Sequence, residues 1–354
     1  MRIAYLTGTY PRATDTFIQR EVAGLRSHGT DVQTFAVRRP ENKHIVGPEQ
    51  ASEREKTFYI LSAANPIGLL KAHSSLLLKS PKRYLKAISL ALKTRQPDFK
   101  GLLYQLFYFA EAGILAHQIR QQKISHLHNH FGNTSCSVAM LASALGDFSY
   151  SFTLHGPAIF FEPKRWRIDE KIKRASFVSC ISNYCRSQAM VFAPYDTWDR
   201  FHIIHCGVTP SQFSQVQQIG EGTRLLFVGR LAAVKGLPML LESVQRIKQT
   251  IPNIKLTVVG DGPDRQMLEA QTADWGLSEQ VEFVGYQSQA AVREYLQQTD
   301  VFVLPSFAEG VPVVLMEAMM SGVPVVATQI AGVSELVTDG ESGFLVPPSN
   351  VEIL

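Results

Sequence analysis

The stretch Asp300–Thr328, DVFVLPSFAEGVPVVLMEAMMSGVPVVAT, decides how the rest of the chain is read. DVFVLPS (300–306) is a short run of apolar, partly β-branched residues and reads as a buried strand. Phe307 to Gly310 reads as a loop. VVLMEAMMSG (313–322) reads as a helix, with Pro312 near its first turn as the start signal and Gly322 as the stop. VPVVAT (323–328) has the character of a second strand. A strand, a crossing helix and another strand in so short a span make a βαβ unit, and such units build parallel sheets.

Moving outward, LLFVG (225–229), KLTVVG (255–260) and VEFVG (281–285) repeat the strand pattern with helical segments between them. RIAYLTG (2–8), DVQTFAV (31–37), HLHNHF (126–131), YSFTLH (150–155), ASFVSCIS (175–182) and FHIIHCGV (201–208) do so earlier, and 16–28 reads as a helix. A chain of 354 residues exceeds one ordinary core. The expected fold class is α/β, two doubly wound, Rossmann-like domains facing across a cleft. They are expected at 1–208 and 223–354, joined by the polar stretch TPSQFSQVQQIGEG (209–222). Ligands of open α/β sheets lie beyond the carboxyl ends of the strands, so the cleft is the expected site. The closing run GFLVPPSNVEIL (343–354) reads as a strand and the beginning of a helix, and the second domain is expected to lack a closing C-terminal helix.

A hydrophobic share of 45% with 19% charged residues describes a well-filled globular interior. The formal charge of +4 is too weak to argue for nucleic acid. Cys136, Cys180, Cys185 and Cys206 form no C-x-x-C pair and read as small core residues of a reducing compartment. MRIAYLTGTYPR has no long h-region, and no run reaches the ~20 apolar residues of a spanning helix. A cytoplasmic protein is expected. Residues 56–97 hold eight Lys or Arg and no Asp or Glu, interleaved with leucines. Two readings stand side by side. One is a basic amphipathic surface, over 67–95, that meets anionic lipid on the inner face of the plasma membrane. The other is a helical pair packed on its own domain with solvated lysines.

Glu309 and Glu317 stand in an otherwise apolar segment, and a buried carboxylate is costly unless something pairs with it. Free amides at the helix start, around Val311 to Val314, make an anion site. LLFVGRLAAVKG (225–236) sets Gly229, Arg230 and Lys235 at the end of a strand. A guanidinium fork and a compact ammonium suit a diphosphate, although a turn with two exposed cations has the same sequence. Carboxylates accept hydrogen bonds from sugar hydroxyls, so Glu317 could grip a ribose and Glu309 a transferred sugar. The plainer readings are a capping acid for Glu309 and a buried salt bridge for Glu317.

These residues carry a resemblance. E-G-V-P-V-V-L-M-E (309–317) resembles the E-x7-E motif of the family-4 retaining glycosyltransferases (glycosyl transferases group 1), which have the GT-B fold. V-G-R-x4-K-G (228–236) is similar to their phosphate clamp. VVGDGP (258–263), FVGY (283–286) and SGVPVVAT (321–328) also look like that family, with a polysaccharide-assembly character. The resemblance implies that Arg230 and Lys235, with Gly229 and the Gly310, Val311, Pro312 and Val313 segment, bind the donor diphosphate. It implies Glu317 on the ribose, Glu309 on the donor sugar, and the nucleobase near Gly285 and Tyr286. FTLHG (152–156) is similar to the strand-end His-Gly of these enzymes and implies that His155 faces the sugar; the residues alone read as a satisfied core histidine. TYPRATDTFIQREV (9–22) resembles a variant of the polysaccharide-assembly members and places Thr14, Asp15 and Thr16 on the acceptor side; otherwise Asp15 or Thr16 caps the helix. HLHNHFG (126–132) puts His126, His128 and His130 on one strand face. Alternating histidines can bind metal, but no Asp/Glu/His cluster follows them, so no metal is assigned and a cleft-lining or core role is expected.

The resemblance implies transfer of a sugar, with retention, from a nucleoside-diphosphate sugar (UDP or GDP) to a saccharide or lipid-linked acceptor in exopolysaccharide or lipopolysaccharide biosynthesis. No cofactor is expected. No D-x-D stretch occurs, so cationic side chains are expected to replace a metal in a metal-independent hexosyltransferase. The alternatives are a nucleotide-sugar epimerase or hydrolase on the same fold, and a non-catalytic nucleotide-sugar-binding protein.

Overall fold

The computed structural model describes residues 2–214 and 220–354. The chain divides into two compact units. One comprises the residues up to Asn42 and Glu49–His205, the other Lys43–Pro48 and Cys206–Leu354. Of the stretch read as a linker, residues 215–219 lie outside the described residues; Pro210–Gln212 form a 3-10 turn and Phe213 packs against the core of the second unit.

In the first unit the strands are β1 (Arg2–Thr9), β2 (Asp31–Arg38), β3 (Phe58–Tyr59), β4 (His126–His130), β5 (Ser149–Leu154), β6 (Val178–Cys180) and β7 (Phe201–Ile203). They form a parallel sheet in the order β3-β2-β1-β4-β5-β6-β7. The second unit holds β8 (Arg224–Val228), β9 (Lys255–Val259), β10 (Val281–Gly285), β11 (Val301–Leu304), β12 (Val325–Thr328) and β13 (Phe344–Val346), ordered β10-β9-β8-β11-β12-β13 and again parallel. Each unit is thus a doubly wound, Rossmann-like sheet, as expected. The central strands are apolar on both faces: Ala4 to Leu6, Leu225 to Phe227 and Phe302 to Leu304 are all buried. Parallel sheets covered on both sides require this.

The helices used below are α1 (Thr16–Ser27), α2 (Pro66–Lys79), α3 (Pro81–Thr94), α4 (Phe99–Gln121), α5 (Thr134–Gly146), α6 (Leu237–Ile247) and α7 (Val313–Met320). Their starts follow local chemistry. Asn65 Oδ1 accepts from Gly68 N at 2.8 Å ahead of Pro66, and Asp98 Oδ1 accepts from Gly101 N at 2.8 Å. Two expectations change in detail, and one strand is new. β6 ends early because Ser182 Oγ accepts from Cys185 N at 3.1 Å and starts a helix. β7 is also shorter than its apolar run. β3, two residues long, was too brief to show as a periodic pattern.

Chain order reverses between β1 and β4 in one sheet and between β8 and β11 in the other. The carboxyl ends of those strands are where doubly wound sheets receive ligands. Among the described residues no helix is long and apolar enough to cross a membrane.

Candidate functional site

In the second unit, β8 runs out into Gly229 and Arg230, and its neighbour β11 into the loop that leads to α7. The two loops are tied together, Phe307 N donating to Val234 O at 2.8 Å. Gly236 sits at the tie with φ of 66°, and a Cβ there would lie 2.1 Å from Pro305 O, so only glycine fits. Gly260, with φ of 134°, lets the loop after β9 approach just as closely, since a Cβ would meet Gly229 O at 1.9 Å.

This backbone presents the side chains. Lys235 ends a 3-10 turn, Ala233–Lys235, and its Nζ donates to Glu309 Oε1 at 2.5 Å. Ser306 Oγ donates to the same oxygen at 2.6 Å. Glu309 is buried, as its apolar surroundings implied, but its burial does not depend on a ligand alone. Two protein donors already stabilise one oxygen, which corrects that expectation, while Oε2 accepts from no described residue. Arg230 is exposed and has no acidic partner among the described residues.

α7 starts after Pro312, which occupies the N-cap position without a side-chain cap. Val313 and Val314 therefore direct amides out of the first turn with no carbonyl of the helix behind them. Gly310 O is anchored by Gly332 N at 3.1 Å, and Val311 and Pro312 are buried beside it. Glu317 lies inside α7 and is only 2% exposed. Gly285 closes β10 with φ of 74°, and half-buried Tyr286 follows it. Gly229, Arg230, Lys235, Glu309 and the Gly310 to Val313 segment thus gather at the switch point of the second sheet. Gly285 and Tyr286 stand on the same edge, at the end of an outer strand.

In the first unit His155 follows β5 and is hydrogen-bonded, Nε2 to Nδ1 of His130, at 2.8 Å. Phe17 and Phe131 flank its ring, with centroids 4.6 and 5.0 Å away. Burial, and secondarily the neighbouring His128, pushes His155 down to about 3. Burial likewise pushes His128 down to about 3 and His130 well below its ordinary value. The rings are therefore neutral, and the bond between His130 and His155 holds one proton. His130 Nε2 and Thr7 Oγ1 are buried without hydrogen-bond partners among the described residues.

No Asp/Glu/His cluster follows the histidines in the chain, but the fold brings an acid from upstream. Glu21 of α1 accepts from Tyr5 OH at 2.6 Å, and Glu21, His128 and His130 each offer a ligand atom within 4.8 Å of the others. Both nitrogens of His128 are already engaged, by Ser151 Oγ and Thr153 Oγ1 at 2.8 Å each, and His126 is bonded to Ser149 and Ser151. A cation here would have to displace a hydroxyl. The histidine face is a polar ladder across β4 and β5.

Asp15 occupies the N-cap position of α1, yet its carboxylate makes no cap bond. Arg12 holds it instead, at 2.7 and 2.9 Å. Thr14 Oγ1 donates to Asp15 Oδ1 at 3.3 Å, and Thr16 begins the helix. Lys171 had no signal in the sequence, where it is one lysine among several in a short helix. It is fully buried, and its Nζ donates to Gly132 O and Asn133 O at 2.8 and 2.9 Å, fixing the turn after β4.

Residues 209–354 match the family model described as glycosyl transferases group 1. The amylovoran biosynthesis glycosyltransferase AmsK of Erwinia amylovora is 25% identical over 386 aligned positions, spanning 100% of this chain and 89% of that protein. The putative teichuronic acid biosynthesis glycosyltransferase TuaC of Bacillus subtilis is 25% identical, spanning 100% and 87%. Among solved structures, Anabaena Alr3699/HepE in complex with UDP-glucose aligns with a TM-score of 0.72 at 16% identity, covering 99% of this chain and 86% of that one. TarM aligns with a TM-score of 0.70 at 11% identity, covering 99% and 90%. At these identities the structural likeness shows the fold, which is GT-B.

Proposed function

The second unit belongs to the glycosyl transferases group 1 family, and from that premise we propose that this protein is a retaining hexosyltransferase that uses a nucleoside-diphosphate sugar, UDP- or GDP-linked. The observation that carries the reading is the set at the β8/β11 switch point. A guanidinium without an acidic partner among the described residues, an ammonium on Glu309 and uncapped helix amides stand at one sheet edge with a carboxylate oxygen that accepts from no described residue.

The roles follow from charge. Breaking the bond between the anomeric carbon and the diphosphate oxygen leaves both electrons on the diphosphate and an oxocarbenium-like sugar. Arg230, Lys235 and the amides of Val313 and Val314 stabilise the departing anion. Glu309 accepts from a hydroxyl of the transferred sugar, and Glu317 from the ribose. Gly285 and Tyr286 take the base. On this reading His155 is assigned to the donor sugar and Thr14, Asp15 and Thr16 to the acceptor. The acceptor oxygen attacks on the face the diphosphate leaves, its proton passing to a phosphate oxygen. Fixed cations take the place of a divalent ion. The acceptor belongs to the saccharide or lipid-linked class, in keeping with relatives named for amylovoran, colanic acid and teichuronic acid biosynthesis.

The test is acceptor-dependent transfer from radiolabelled nucleotide sugars, with and without EDTA. Arg230→Ala should lower kcat/KM by roughly a hundredfold or more, the usual cost of one transition-state charge partner. Wild-type turnover in that variant, or donor consumption that needs no acceptor, would overturn the reading. Activity lost in EDTA and restored by manganese would overturn metal independence.

A further inference from the structure

The first unit carries a surface that glycosyl transfer does not use. α2, α3 and α4 pack on one another through a polar and aromatic pin: His73 of α2 is bonded to Tyr84 OH of α3 at 2.8 Å and to Ala110 O of α4 at 3.2 Å, with the Phe109 ring beside both. Ala72 and Leu76, then Ala87, Leu90 and Ala91, face inward and are buried. The opposite faces should then be polar, and they are not. On α2, Ile67, Leu70, Leu77 and Leu78 recur at helical spacing and are exposed, Ile67 at 80% and Leu78 at 82%. On α4, Phe99, Leu103, Leu106 and Phe107 do the same, Phe99 at 73%.

α3 joins this apolar surface to charge. Lys82, Leu85, Lys86, Ser89, Leu92 and Lys93 form a single exposed face of the helix. Next to it opens a cavity of about 590 Å³ whose walls include Lys82, Arg83, Lys86, Lys93 and Arg174. Arg83 is partly neutralised by Asp147 at 2.9 Å, and Arg174 by Glu170 at 2.9 Å. Lys82, Lys86 and Lys93 have no anionic partner among the described residues.

We propose that the outer faces of α2, α3 and α4 dock on an anionic phospholipid surface, with a lipid phosphate entering the lysine-walled cavity. Apolar stripes of this size on a water-soluble face mark an interaction site, and a basic, leucine-rich helix set lies flat in the headgroup region. Charge decides the occupant. A second copy of the chain would bring the same cations against themselves, whereas an anionic leaflet attracts them. Leu78, Phe99 and Phe107 enter the acyl boundary while the lysines stay at phosphate level. None of the residues of this surface is among those assigned to transfer, so the proposal stands or falls without them.

Cosedimentation of the full chain with phosphatidylglycerol and with phosphatidylcholine vesicles tests it. Binding to the first and not the second is expected, weakening as salt is raised. Lys82→Gln/Lys86→Gln/Lys93→Gln should reduce the partition coefficient roughly a hundredfold, and Leu70→Ser/Leu78→Ser should reduce it about tenfold. Unchanged thermal melts certify that both variants fold. Equal binding to both vesicle types, or no loss in either variant, overturns the proposal. So does release from vesicles by millimolar inorganic phosphate, which would make the cavity a site for free phosphate. A dimer in sedimentation equilibrium that the leucine variant dissociates would assign the surface to a second copy and overturn it as well.

Discussion

Glu309 is bound from two sides at one oxygen. The Lys235 ammonium and the Ser306 hydroxyl both reach Oε1, at 2.5 and 2.6 Å. Their contributions should separate on substitution. Lys235→Ala removes both the cation proposed to meet the diphosphate and the partner of a buried acid, and kcat/KM should drop by about a hundredfold to a thousandfold. Ser306→Ala removes one neutral donor, and a loss of about tenfold or less is expected. Equal losses in steady-state assays of the two would show that the serine bond, rather than the charge, positions the carboxylate. Glu309, Glu317, Arg230 and Lys235 were legible because charge inside an apolar pattern demands an explanation. Ser306 was not, since a serine closing DVFVLPS reads as the end of a strand. Glu21 was hidden for another reason. Its neighbours His128 and His130 are more than a hundred positions away in the chain, and only the fold brings them within 4.8 Å of it.

At the scale of elements, legibility followed periodicity. Strands bounded by glycine or proline emerged within a few residues of their observed limits. α2 and α3 stood out through their lysines, whereas α4, a helix of 23 residues, gave no stripe. It is apolar on its buried side and also on its uncovered one. Within α4, Glu111 is buried and its pKa is pushed up to about 7 by burial, with Arg38 pulling it back. The folded chain therefore holds a proton that the unfolded chain releases from its ordinary value of 4.5 upward. Stability from this group falls as pH rises between those values and is flat above them. Glu111→Gln should flatten that slope and be more stable than the parent at pH 8 by about 1–3 kcal/mol. Urea titrations at pH 5 and pH 8 measure it; a parent and variant that differ equally at both pH values would contradict the assignment.

For the whole molecule, the α/β class and the switch-point positions were readable, because parallel strands impose apolar runs and crossover helices impose spacing. Two sheets wound in the same order set the candidate residues in the segments that follow the carboxyl ends of their strands, with Glu317 further on, inside α7. If the second edge holds a nucleotide, either UDP or GDP should raise the melting temperature. A ligand at a hundred times its Kd contributes about 3 kcal/mol, which at an unfolding entropy of roughly 2.1 cal/mol/K per residue is a shift of about 4 °C for a chain of this length. A screen in which neither diphosphate nor its sugar forms shift the transition would remove the donor assignment, and a response to one base alone would identify it.

The sheet borders carry a consequence of their own. Among the described residues, β3, β7 and β13 end their sheets with runs of two, three and three residues. Borders that short offer too few free amides and carbonyls to template an incoming strand. β10, five residues long with exposed Glu282 within it, is the one border of ordinary length, and it carries the charge that discourages strand addition. The folded chain can be concentrated with little tendency to add strands at its sheets, and clumping at high concentration would have to begin elsewhere.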